Sequence, residues 1–133
     1  MLRVYADGGA RGNPGPAAIG IVIIDDQDHV VKQHKERIGI STNNVAEYTA
    51  LVRALELSAQ LTHDEVHVFM DSEVVIRQIT GVYQVKAEHL LPYYHAVKKR
   101  ESEFRKVLFR NVPRVAPYQV VADRLVNEAL DGL

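Results

Sequence analysis

The sequence predicts an α/β domain built on a mixed five-stranded sheet, an antiparallel three-strand meander plus two parallel strands, flanked by helices. Three observations carry this. Leu2 to Ile38 holds three stretches of strand character joined by short loops. Asn43 to Leu61 has helical periodicity, with Ala50, Leu51, Ala54, Leu57 and Leu61 on one apolar face. Two further strand-like stretches, Glu65 to Asp71 and Val107 to Asn111, come after helical ones, so a parallel return to the sheet is the simplest connection.

In order, Leu2 to Asp7 alternates Leu2, Val4 and Ala6 against Arg3, Tyr5 and Asp7, the period of a strand. Gly8 to Pro16 is too rich in glycine and proline for helix or strand and reads as a loop. It is not a phosphate-binding loop, because no Lys-Ser/Thr pair closes it and no helical pattern follows. Ala17 to Ile24 is the second strand, Asp25 to Asp28 a turn, and His29 to Ile38 the third strand. Ser41, Thr42 and Asn43 are residue types that accept from the unpaired N–H groups of a first helical turn, which starts the long helix. Ser72 to Thr80 reads as a short helix closed by Gly81, and Val82 to Lys86 as a connector. Leu90 to Arg105 reads as a polar helix that tolerates Pro92 in its first turn, Val112 to Tyr118 as a loop, and Gln119 to Leu130 as the last helix.

Composition narrows the function. The 133 residues suit one domain over 1–133. With 16 basic and 17 acidic residues the net charge is -1, which excludes a uniformly basic nucleic-acid binder and leaves only a local basic surface. The absence of cysteine excludes a disulfide framework and a thiolate metal site. No apolar run approaches the ~18 residues of a membrane span, and Met1 to Val4 enters a strand pattern rather than a signal peptide. A cytoplasmic protein with no membrane partner and no obligate protein partner is the expectation.

The chemistry lies in the acids. Glu47 shares the apolar face of the long helix, where an isolated carboxylate would cost several kcal/mol or shift its pKa. Asp7 ends the first strand and Asp71 the fourth; in parallel neighbours these ends lie ~4.8 Å apart. Each shares parity with an aromatic of its strand, Tyr5 or Phe69, which points both to one face. Asp123 sits early in the last helix. Carboxylates within ~5 Å of one another repel by roughly 3 kcal/mol per pair at an effective dielectric of 20, and divalent cations cancel that charge. With no cysteine and no clustered histidine, hard oxygen ligands favour Mg²⁺ or Mn²⁺ over Zn²⁺.

Asp7-Gly8-Gly9-Ala10-Arg11-Gly12-Asn13-Pro14-Gly15, Thr42-Asn43-Asn44-Val45-Ala46-Glu47-Tyr48, Met70-Asp71-Ser72 and Ala122-Asp123-Arg124-Leu125, in this order over nearly the whole chain, resemble the type 1 ribonuclease H family. The resemblance implies a ribonuclease H-like fold and hydrolysis of the RNA strand of RNA–DNA hybrids by two metal ions, leaving a 5′-phosphate and a 3′-hydroxyl. It assigns the catalytic and metal-binding acids to Asp7, Glu47, Asp71 and Asp123, with Asp7 and Asp71 touching both ions. Asn13, Asn43 and Asn44 become candidates for the hybrid's minor groove, where 2′-hydroxyls distinguish RNA from DNA, with backbone N–H groups of Gly8, Gly9 and the residues to Gly12 approaching the phosphates and Ser72 adding a contact. Tyr83 and Lys86 resemble a segment that contacts the DNA strand. Asn43 fits equally as a plain helix cap.

The chain also departs from the family. Its connector is too short for the basic handle helix of some members, no histidine lies between Asn111 and Asp123, and Gln119 takes the place of a usual asparagine. These departures define the alternative, a catalytically weak or inactive module that holds hybrid or other nucleic acid.

Overall fold

The computed structural model describes residues 1–133. Five strands form one sheet in the order β3-β2-β1-β4-β5, with β1 Leu2–Ala10, β2 Gly15–Ile24, β3 Val30–Ser41, β4 Glu65–Met70 and β5 Lys106–Asn111. The first three are antiparallel neighbours, and β4 and β5 run parallel to β1. Helix α1 spans Asn43–Ala59, α2 Glu73–Ile79, α3 Leu91–Glu101 and α4 Pro117–Leu130.

Alternation along the strands splits the sheet into two faces. Val4, Ala6, Ile19, Ile21, Ile23, Val66, Val68 and Met70 are buried against α1, α2 and α3, where Leu51, Leu55, Ile79 and Val97 complete the main core. Each large aliphatic side chain closed off in this way stabilises the fold by ~1.5–3 kcal/mol. The other face is covered by α4, which packs over β1, β2 and β3, with Val126 and Ala129 against Ala18.

Several boundaries differ from the sequence reading. The stretch from Gly8 to Pro16 is mostly strand: β1 continues to Ala10 and β2 begins at Gly15, so only 11–14 form the turn. Pairing of Gly8 with Ile19, Gly9 with Ala18 and Ala10 with Ala17 outweighs the weak strand preference of glycine. Helix α1 stops at Ala59, which leaves Leu61 51% exposed rather than on the buried face. Its N-cap is Thr42, whose Oγ1 accepts from Val45 N–H, so Asn43 is released for other contacts. Helix α3 ends at Glu101, short of Arg105, and α4 begins at Pro117, where proline suits a first turn.

Candidate active site

Glycine at two positions sets how closely the helices approach Asp7. Gly8 follows Asp7 in β1, and a Cβ there would overlap the Ala46 carbonyl and crowd the Glu47 nitrogen. Gly20 lies opposite Asp7 on β2, and a Cβ there would overlap the Ala122 carbonyl. The two bare backbones therefore admit α1 and α4 at the points where they carry Glu47 and Asp123. Asp71 follows the last residue of β4, and the stacked pair Tyr5 and Phe69, with ring centroids 4.5 Å apart, keeps the two strand ends in register. Gln119 is fully buried one turn before Asp123 and donates from Nε2 to the Ala6 carbonyl at 3.0 Å, joining α4 to the residue before Asp7.

These approaches bring Asp7, Glu47, Asp71 and Asp123 into one cleft of about 350 Å³. Asp7 and Glu47 are each only 9% exposed. Burial, followed by the charges of Asp71 and Asp123, pushes the Asp7 carboxyl up to about 8. Burial pushes Glu47 up to about 7; hydrogen bonds from Ser72 and from Asn43 Nδ2, the latter at 3.3 Å, oppose the rise. Asp71 is also raised, chiefly by burial, with Arg114 opposing. No three of the acids are drawn tightly enough to form a ready-made cage. The donor set still suits a cation. It is oxygen-only, half-dehydrated and short of positive charge, since none of the chain's ion pairs includes any of the four acids.

Among the other residues singled out from the sequence, Gly8, Gly9, Asn43 and Ser72 line the cleft. Asn13 stands next to it, its Oδ1 accepting from Asn43 N–H at 3.0 Å. Asn43 Oδ1 in turn accepts from Ala10 N–H at 3.3 Å, which ties the turn after β1 to the start of α1. Asn44 is exposed and does not line the cleft. Lys86 is likewise exposed outside it, and Tyr83 borders a separate groove with Gln78, Val85 and Tyr94. Ser72 also caps α2, accepting from Val75 N–H. Three polar residues line the cleft that the sequence reading did not place in the site. Arg11 pairs with Asp131 at 2.6 Å; Asn127 donates to the Asp123 carbonyl at 3.0 Å; and Arg114 faces Asp71. The i, i+4 spacing of Asp123 and Asn127 was a signal for one of them.

A mixed sheet with antiparallel β1–β3 and parallel β4 and β5, its carboxyl end lined by acids from two strands and two helices, defines a class of fold. Residues 5–129 match the family described as reverse transcriptase-like. The bifunctional protein Rv2228c of Mycobacterium tuberculosis is 42% identical over 130 residues, which cover 97% of this chain and 35% of that one. Ribonuclease HI of Halobacterium salinarum is 37% identical over 98% of this chain and 64% of its own length. The chain therefore spans between a third and two thirds of these relatives. The crystal structure of RNase H1 from Halobacterium salinarum superposes with a TM-score of 0.94 at 36% identity, covering 99% of this chain and 98% of that one. LC11-RNase H1 in complex with RNA/DNA hybrid gives 0.92 at 42% identity, covering 99% and 98%. The chain belongs to the reverse transcriptase-like family and, within it, to the type 1 ribonucleases H. No helix is long and apolar enough to cross a membrane.

Proposed function

We propose that residues 1–133 act as one metal-dependent endoribonuclease domain that hydrolyses the RNA strand of RNA–DNA hybrids, leaving 5′-phosphate and 3′-hydroxyl ends. One observation carries the reading: Asp7 is buried among three other carboxyls with no basic partner. A protein that only grips phosphates gains nothing from such a cluster, since it repels the ligand. Asp7, Glu47, Asp71 and Asp123 would hold two Mg²⁺ or Mn²⁺ ions. When bound, the ions supply water activation and charge stabilisation at the leaving 3′-oxygen. The chain's own residues do the rest. Asn43 and Ser72 orient the Glu47 carboxylate. Gly8 and Gly9 expose backbone to the phosphates, and Asn13, Asn43 and Asn44 read 2′-hydroxyls. Tyr83 and Lys86 meet the DNA strand. The likeness to LC11-RNase H1, solved with RNA/DNA hybrid, supports this substrate.

The test is cleavage of an end-labelled hybrid. Cleavage of the RNA strand is expected with Mg²⁺ or Mn²⁺, and its loss, by at least about a thousandfold, in Asp7→Asn and in Asp71→Asn while hybrid binding persists. Wild-type protein that binds hybrid but does not cleave it with either metal would establish the gripping module in its place.

A further inference from the structure

Helix α4 covers only part of its face of the sheet, since it packs over β1, β2 and β3. On the remaining part the strand register places Tyr5 beside Phe69 and Phe69 beside Arg110, one row back His67 beside Leu108, and two rows back Glu65 beside Lys106. Tyr118 from the first turn of α4 joins the aromatics, 5.5 Å from Tyr5. Tyr5, Phe69, Leu108 and Tyr118 are half-buried and belong to neither hydrophobic core. This is unusual content for a bare sheet surface.

Tyr5 and Phe69 are nearly parallel, with 14° between their planes, so Tyr5 covers one face of Phe69, and Arg110 is the neighbour of Phe69 on β5. Charge on this surface is unevenly neutralised. Arg3 is tied to Asp28 at 2.6 Å and His67 to Glu65 at 2.7 Å. Lys106, Arg110 and Arg114 are exposed and enter no ion pair. Arg114 lines the acidic cleft, and Arg110 and Lys106 lie along β5 leading away from it. Phe69 lies near the end of β4, two residues before Asp71, so the surface begins where the cleft ends.

We propose that this open part of the sheet is a platform for unpaired nucleotides that continue from the hybrid held in the cleft, with a base stacked on Phe69 and phosphates met by Arg110, Lys106 and Arg114. Parallel aromatics beside unpaired cations are what a single strand requires, because every base has a π-face and every linkage a charge. A folded protein partner would bury the long side chains of Lys106 and Arg110, neither of which is in an ion pair within this chain, and the surface disfavours that. The inference rests on the proposed binding of hybrid in the cleft, and it predicts a preference for hybrids that end in a single-stranded tail over blunt ones.

The experiment measures binding by fluorescence anisotropy with Ca²⁺ in place of Mg²⁺ to suppress cleavage. A blunt hybrid is compared with the same hybrid carrying a short unpaired DNA or RNA tail at each end in turn. One tailed end is expected to bind about tenfold tighter than the blunt duplex, and Arg110→Gln and Phe69→Leu are each expected to remove that gain, with blunt binding changed less than about twofold in Arg110→Gln. Arg110 is exposed on β5, so its variant tests the idea even where Phe69→Leu lowers stability. Equal affinity for blunt hybrid and all tailed forms would overturn the platform and leave the cleft's reading standing. Failure to bind any hybrid would overturn both. A tail effect that survives both substitutions would also overturn the assignment to this surface.

Discussion

Carboxylates in this molecule fall into two groups that differ in the sign of their perturbation. Glu36 accepts two hydrogen bonds from Arg53, at 2.9 and 3.1 Å, and is held below the usual carboxylate range by that guanidinium. Asp28, bonded to Arg3, is lowered for the same reason. Asp7, Glu47 and Asp71 shift the other way, and burial is the first cause in all three. Both groups lie on the same small fold. One has found its cation within the chain; the other is gathered where no basic side chain forms an ion pair with it and only Arg114, facing Asp71, opposes the rise. The difference teaches that the cleft is built against its own stability, which a fold tolerates where function requires it.

The largest effect expected from this contrast is on the pH dependence of stability without metal. Asp7 and Glu47 have folded values raised to about 8 and about 7 from 3.8 and 4.5. A group raised on folding favours the folded state at low pH, below its unfolded value, and that favour is lost as pH rises through the folded value. In chelator, stability should therefore decline from about pH 4 to about pH 8, by roughly 3–5 kcal/mol after allowance for coupling between the two groups. Thermal melts across that range check it. Saturating Mg²⁺ should flatten the slope, and Asp7→Asn should flatten most of it without metal. A metal-free melting temperature that rises steadily through the same range would break the contrast.

How much of this was legible in the sequence depends on the range of the interactions. Alternation in Leu2–Asp7 and in Glu65–Asp71, with the helix between, was enough to place Asp7 and Asp71 at neighbouring strand ends, because a period of two fixes the face and a parallel connection fixes the direction. The apolar neighbours of Glu47 gave its burial for the same local reason. The extension of the hairpin through Gly8–Ala10 was not readable, since pairing partners rather than propensity hold it. Nor was the burial of Gln119, whose environment is made by Ala6 from a distant strand. Leu61 looked like a continuation of the apolar stripe only because periodicity does not say where a helix stops.

A smaller effect should come from the glycine that sets the distance of α4. Gly20→Ala puts a methyl group into the Ala122 carbonyl, so α4 must move outward or the strand must bend. Overpacking of this kind costs ~1–3 kcal/mol. What distinguishes it from a generic core defect is that Asp123 follows Ala122. Mg²⁺ half-saturation, read from the metal-induced rise in melting temperature, should therefore weaken by about tenfold, beyond what the lost stability explains. A variant that loses stability but keeps its metal response would show that the approach of α4 matters to packing alone.

The smallest effect belongs to the satisfied group, and it is the control the comparison needs. Glu36 and Arg53 are each about a third exposed, at 33% and 31% of their side-chain surface, so solvent screens their pairing. Glu36→Gln should cost only ~0.5 kcal/mol at neutral pH. The sign of its pH dependence is opposite to that of the cleft. Because Glu36 is lowered on folding, its contribution is present above the unfolded value of 4.5 and is lost as pH falls through the folded one. The wild type and Glu36→Gln should therefore converge in stability as pH falls from 4.5 through the lowered folded value of Glu36 and differ at pH 7, with hybrid cleavage and metal response unchanged in the variant. A change in either would mean that Glu36 and the cleft acids are coupled through α1, which carries both Arg53 and Glu47, and that the two groups of carboxylates are not independent.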